Sequence, residues 1–403
     1  METQNVTKIK QIRDQLPAAT KYIFLNTGTA GPLPLPVQQA MAEAEQRDLT
    51  EGRASQEGFR QLAQDMEQTR RLLGLLLGAH PEELALTHHT TEGINIVLWG
   101  LNLQPGDEIV TTNLEHSGIL VPLAQICRRR NITVRIADLG HGQTDRVLDA
   151  FEKALTSRTR LLALSHVSYS TGALLPLQKI VELAHHHRVP VLVDGAQAVG
   201  AIPLNLSRMK VDFYAFPGQK WLCGPEGTGG LYIRQERLAE LEPTFVGYRS
   251  MPQYDFHSPY GLPAAGARRF EVGTLYRPGI AGLLAAIRWF TETVGADWAY
   301  SRIQSVLQYA RRKLAEIPGI ECVTPENDAG LLTFHVQGVS AAGFVSYAAQ
   351  HGVILRSIPD NGALRISCGY FNTEEEIDRL AALLKRYLDR ITKTEGQQEK
   401  VQQ

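Results

Sequence analysis

Four cysteines in 403 residues, at positions 127, 223, 322 and 368, are too few and too scattered to form a disulfide framework. None sits in a C-x-x-C pair of the zinc-binding kind, so a reducing, cytoplasmic setting is expected. Charge of one sign is equally scarce: the formal net charge is −1 and no basic stripe or like-charge block occurs. A nucleic acid partner is therefore not expected. No apolar run is long enough to span a bilayer, and residues 1–8 are polar, without the apolar core of a signal peptide. Nor does a G-x-G-x-x-G stand between a strand and a helix. The glycine-rich stretch 224–230 lacks the Lys-Ser/Thr ending of a P-loop and reads as a turn into the next strand. His185, His186 and His187 fall late in an amphipathic helix and read as a solvated helix end. His88 and His89 are adjacent in extended chain and point to opposite faces. No metal site is expected.

What the chain does contain is a strand–helix alternation. Apolar runs at 84–87, 108–112, 133–137, 161–165, 189–193, 212–216 and 229–233 read as strands, with helical patterns at 91–101, 117–130, 147–155 and 176–188. Such a series builds an α/β fold with a largely parallel sheet and right-handed crossovers. The length exceeds one compact core. A large domain is expected over 21–278 and a smaller α+β domain over 279–391, with segment 1–20 packed on the latter. The polar tail 392–403 is expected to be frayed.

The chemistry centres on Asp194, which ends one buried strand, and Lys220, which follows another. Both project from strand ends on one sheet edge, where open α/β folds bind ligands. The neighbours of Lys220 are apolar or small: Phe216, Pro217, Gly218, Trp221, Leu222 and Gly224. That setting lowers an amine pKa. A carboxylate for a pyridinium nitrogen and an amine for a Schiff base are what pyridoxal phosphate requires. Gln197 follows Asp194 by one turn, which favours a cofactor role over a plain helix cap. Thr90, Thr91 and Glu92 open a helix after a strand, and backbone N–H groups there make a phosphate cradle. His116, after another strand, can stack on a ring. Arg365, at the end of a small-domain strand, can clamp a carboxylate bidentately.

With these motifs the chain resembles the class V aminotransferase-like family of pyridoxal phosphate enzymes, of the fold-type-I architecture. It is most similar to the cysteine desulfurases of the selenocysteine-lyase-like group and to the cysteine/cystine C–S lyases. The motifs are Thr90-Thr-Glu-Gly-Ile-Asn95, Glu115-His116, Asp194-Gly-Ala-Gln197, Gly218-Gln-Lys-Trp-Leu-Cys-Gly-Pro225, Phe270-Glu-Val-Gly-Thr274 and Leu364-Arg365. The resemblance implies a seven-stranded, mostly parallel large-domain sheet and these roles. Lys220 holds the cofactor and moves the Cα proton. Asp194 binds the ring nitrogen, Gln197 the phenolic oxygen, and His116 the ring face. Thr90, Thr91, Glu92 and Gln219 surround the phosphate. Gly273 and Thr274 reach the phosphate of a neighbouring subunit, which implies a homodimer. Arg365, Arg356, Tyr169 and Asn26 bind the amino-acid substrate. A sulfur-accepting partner protein is a further implication of the desulfurase branch.

Three departures matter. Pro217 and Gln219 stand where the family usually has a hydroxyl residue and a histidine, and Tyr169 stands in place of an asparagine. Most decisive, the segment from Arg356 to Arg365 is short and has no cysteine, whereas a desulfurase needs a mobile thiol there. Cys368 is expected to face away from Arg365, and Cys223 to be packed behind Lys220. The expected reaction is therefore β-elimination from L-cysteine or L-cystine, giving pyruvate and ammonia. A desulfurase giving alanine, an epimerase, and a non-catalytic cofactor-binding protein are the alternatives.

Overall fold

The computed structural model describes residues 2–401 except 259, 327, 328 and 360; of residues 2–4 and 393–401 it describes the backbone alone. The large sheet has seven strands: β1 (Leu84–Thr87), β2 (Glu108–Thr112), β3 (Thr133–Ala137), β4 (Thr159–Ser165), β5 (Val191–Asp194), β6 (Phe213–Pro217) and β7 (Gly229–Ile233). Their spatial order is β1-β7-β6-β5-β4-β2-β3, and only β7 runs antiparallel to its neighbours. This is the mostly parallel seven-stranded sheet that the sequence pattern predicts. The inner strands β5 and β6 are buried at every residue, which is why they read as unbroken apolar runs.

Apolar clusters cover both faces. One contains Val193, Phe216, Trp221 and Leu283; the other contains Ile94, Ile119, Leu192 and Ala215. A third cluster forms the core of the smaller domain around Val306, Phe334, Phe344 and Ile366. Its four-stranded antiparallel sheet is built from Ile320–Cys322, Leu331–Val336, Ala363–Ser367 and Arg356–Ile358, in that spatial order.

Two boundaries differ from the expectation. The division after residue 278 falls inside helix Arg277–Arg288, whose Ile280, Leu283 and Ile287 belong to the large core. This helix packs on Leu35–Thr50 and Gln56–Leu77, so the change of core comes later, between Ile303 and Val306. The final helix, expected to fray from 392, runs from Glu374 to Val401, because the Gln, Glu and Lys residues there are good helix formers. Near the other terminus, Arg13 bonds Glu376 at 2.8 Å, and Trp289 and Trp298 donate to Gln15 and Asn5. His185, read as a solvated helix end, instead anchors its helix to buried Asp212 at 2.7 Å.

Candidate active site

Asp194, Lys220, His116 and Thr90 leave the carboxyl edge of the sheet. Asp194 closes β5 and is 5% exposed. Ala196 N–H donates to its Oδ1 at 2.8 Å, which orients the carboxyl. Burial pushes the Asp194 pKa up, while Lys220, the Ala196 N–H and His116 pull it down. Lys220 follows β6 in a tight segment that closes with Gly224 N–H donating to Gly218 O at 2.9 Å. Cys223, in the same segment, takes the left-handed conformation at φ 55°. Burial lowers the Lys220 pKa to about 8; the Asp194 charge opposes this shift and Arg365 and Arg356 add to it. Among the described residues, nothing forms a hydrogen bond or ion pair with its amine.

Gln197 is held from both ends. Its Nε2 donates to Gly28 O at 2.8 Å, and its Oε1 accepts from Trp221 Nε1 at 3.0 Å. His116 caps helix Ser117–Arg130: its Nδ1 accepts from Gly118 N–H at 3.0 Å, leaving the ring proton on Nε2. Tyr169 meets its ring edge-on, with centroids 4.8 Å apart. Burial is the main cause of its lowered pKa.

Thr90 and Thr91 open helix Thr90–Gly100, and His89 caps it by accepting from Glu92 N–H at 3.0 Å. Glu92, in the first turn, uses its carboxylate within the protein. Its carboxylate turns back to the His88 N–H and to the His88 ring, at 2.5 and 2.9 Å. A carboxylate there would also repel a phosphate.

The small domain contributes an arginine pair. Arg356 and Arg365 stand opposite each other in the antiparallel register, and both reach Thr29 Oγ1, at 3.3 and 3.4 Å. Thr29 in turn donates to Asn26 Oδ1 at 2.8 Å, and Arg365 also donates to Tyr169 O at 2.8 Å. Neither guanidinium meets a carboxylate among the described residues. Burial lowers the Arg365 pKa to about 9, with the Arg356 charge adding to the effect. Two unneutralised cations beside Asn26 form a site for a carboxylate. Thr29 had no signal in the sequence, because its role comes from segments more than 300 residues apart.

Gly273 and Thr274 stand elsewhere: Thr274 is exposed and bonds Tyr248 OH at 3.0 Å. The segment from Arg356 to Arg365 is a β-hairpin without a thiol. Cys368 lies in the small-domain core, its pKa raised by burial. Cys223 is buried, with Tyr370 OH 3.4 Å from its Sγ, and burial pushes its pKa up to about 12. Both are inert thiols.

These residues fit a pyridoxal-type cofactor. Among the described residues Arg365 Nε is a buried donor without a partner, as a site for an anionic group requires. A Cβ on Gly28 would come within 2.9 Å of Gln197 Oε1, so only glycine lets the Gln197 amide pack there. Because the amine adds to an aldehyde only as the free base, uptake of pyridoxal phosphate by cofactor-free protein is expected to accelerate with pH. The rate should level off as Lys220 deprotonates near pH 8 rather than near 10.5. Stopped-flow absorbance at a series of pH values measures this.

Comparisons with known proteins agree with the geometry. The Aminotransferase class-V family matches residues 22–380. A cysteine desulfurase of Salmonella agona (strain SL483) is 34% identical over 343 residues, covering 81% of this chain and 83% of the relative. The cystine C–S lyase C-DES, solved with its reaction product cysteine persulfide, is 35% identical with a TM-score of 0.87, covering 91% of this chain and 98% of that one. A lysine-to-alanine mutant of C-DES carries glycine covalently linked to its pyridoxal phosphate; it too is 35% identical, with a TM-score of 0.88, covering 92% of this chain and 98% of that one.

Proposed function

This chain belongs to the class-V aminotransferase family, and from that membership we propose that it is a pyridoxal-phosphate-dependent carbon–sulfur lyase acting on L-cystine and L-cysteine. One observation carries the reading: a Lys220 amine and two guanidiniums, none of them paired with a carboxylate among the described residues, share a site whose hairpin has no thiol in its sequence. The similarity to C-DES, named a cystine C–S lyase, supports it.

Pyridoxal phosphate, when bound, supplies an electron sink for the negative charge that develops at the substrate Cα. Lys220 would hold it through the amine, Asp194 through the ring nitrogen and His116 across the ring face. The second N–H of Gln197 is available to the ring oxygen. Thr90, Thr91, Gln219 and the first N–H groups of helix Thr90–Gly100 would hold the phosphate. Arg365 and Arg356 orient the substrate carboxylate, with Asn26 and Tyr169 at their sides. Lys220, released as the free base when the substrate amine takes its place, would take the Cα proton. The Cβ–S bond breaks and its electron pair leaves with sulfur, as cysteine persulfide from cystine or sulfide from cysteine. Hydrolysis converts the remaining three-carbon fragment into pyruvate and ammonia. No enzyme thiol takes part.

Arg365→Ala is expected to lower kcat/KM about 100-fold, mostly through KM, as loss of a buried charge-assisted clamp implies. Steady-state kinetics on cystine measure this. The overall reading is tested by product analysis: equimolar pyruvate and ammonia from cystine, retained in Cys223→Ala and Cys368→Ala variants. Alanine together with enzyme-bound persulfide would establish a desulfurase instead, which is the activity named for the Salmonella relative. Cofactor binding without either product would leave a non-catalytic protein.

We also propose a homodimer. Phe245, Tyr248, Phe256 and Tyr260 are 74, 56, 83 and 78% exposed in the segment that leads to Thr274. Such a patch needs a cover, and a second copy would bring Gly273 and Thr274 to the neighbouring phosphate. Light scattering on purified protein should give the dimer mass; a monomer that binds cofactor at full affinity would refute this. Among the described residues no helix is long and apolar enough to cross a membrane. The reduced thiols and amino-acid substrate fit a cytoplasmic enzyme.

A further inference from the structure

Glu115 is a carboxyl group for which the chemistry above has no use. It lies between β2 and His116 and is 5% exposed. Thr112 Oγ1 donates to its Oε1 at 2.6 Å, and Ser165 Oγ lies 2.6 Å from its Oε2. Thr112 Oγ1 also accepts from Leu114 N–H at 3.1 Å, which leaves the threonine proton for Glu115. Ser165 stands in register with Asp194 across β4 and β5. One carboxyl thus ties the end of β2, the start of the His116 helix and the strand beside Asp194.

No cation bonds Glu115 among the described residues. The titratable and charged groups around it are Asp194 on β5, His116 next in the chain and His166 next to Ser165, whose Nδ1 is 2.9 Å from Tyr214 OH. The Lys220, Arg356 and Arg365 charges act on His116. A buried carboxylate without a counter-ion, beside a second carboxyl that must ionise, is unfavourable. A neutral acid that accepts from Thr112 and donates its own proton across the 2.6 Å contact to Ser165 Oγ keeps both contacts without a buried charge.

We propose that Glu115 is a positioning residue held as a neutral carboxylic acid, a strut that fixes His116 against the Asp194 strand, and that loss of its proton loosens the site. Burial, opposed by the bonds from Ser165 and Thr112 and reinforced by the Asp194 charge, pushes its pKa from 4.5 up to about 7. The folded protein therefore holds this proton more tightly than the unfolded chain does. The stability it contributes is complete below pH 4.5 and is lost as pH rises through about 7. The inference rests on the reading of His116 and Asp194 as cofactor groups, but not on which sulfur product forms.

Glu115→Gln keeps one acceptor and one donor and cannot ionise. In cofactor-free protein, the wild type should show a protonated-carboxyl infrared band that titrates away near pH 7 and is missing from the variant. The variant's melting temperature should also lack part of the fall between pH 4.5 and about 7. At pH above this range, Glu115→Gln should take up pyridoxal phosphate as tightly as wild type or tighter, and Glu115→Ala about tenfold more weakly. No carboxyl band titrating near neutrality in the wild type would overturn the proposal, whether or not the variants fold. So would a folded Glu115→Gln protein as impaired as Glu115→Ala. If the cofactor reading itself were wrong, no form would take up pyridoxal phosphate, while the infrared titration would stand.

Discussion

Lys220→Ala is expected to lower turnover of cystine by about 10⁴-fold, the upper end of the scale set by removing a proton-transfer group. No other lysine lies among the site residues, and the segment around position 220 is rigid: Cys223 N–H donates to Lys220 O at 3.0 Å, and Gly31 N–H to Gln219 O at 2.8 Å. The same change should leave the melting temperature of cofactor-free protein unaltered or raised. The structure holds the amine where its charge is disfavoured, with the pKa lowered to about 8 by burial. Loss of activity without loss of stability marks a functional group that strains its own fold. Activity assays and thermal melts on one preparation give both readings. A variant that kept a tenth of its activity would remove Lys220 from the mechanism.

Asp194→Asn should have the second largest effect. The asparagine keeps the shape and the bond from Ala196 N–H but removes the charge. Turnover should fall by about 10²- to 10³-fold, the range found when one buried electrostatic partner is removed from a site. A second consequence follows from the coupling of the two groups. The Asp194 charge raises the Lys220 pKa, against burial. Without it, the midpoint for cofactor uptake should move below 8 in cofactor-free protein. A midpoint that stays at its wild-type value would mean that the two groups do not share a site.

The sheet was legible in the sequence because its inner strands are buried on both faces and read as continuous apolar runs. Their ends were less so. Val191–Asp194 includes the acid, since Asp194 pairs with Ser165 and Ala215 in the ladder. Helix Leu35–Thr50 was not evident: it buries only Val37 and Ala44, so its sequence carries little apolar stripe. Helix Gln56–Leu77, by contrast, buries Leu62, Met66, Leu73 and Leu77, a pattern that could have been found.

The candidate site divides in the same way. Asp194, Lys220 and His116 were readable because each follows a strand that announces itself. Arg356 and Arg365 were readable as residue types, but their opposition across a hairpin is a matter of register. Thr29 and Glu115 were not identified as site groups. One lies on an unpatterned loop, and the other is an acid that gives no sign in sequence of being buried between two hydroxyls. Glu92 was read by position at the helix start, and the bond of its side chain to the His88 N–H could not be read from sequence.

The account depends on a covalent bond between the amine at 220 and the cofactor aldehyde. Reduction of cofactor-loaded protein with borohydride, followed by peptide mapping, tests it most directly. The peptide containing Lys220 should carry the pyridoxyl mass, and Lys220→Ala protein should carry none. A label on any other side chain, or no label on coloured wild-type protein, would contradict the account.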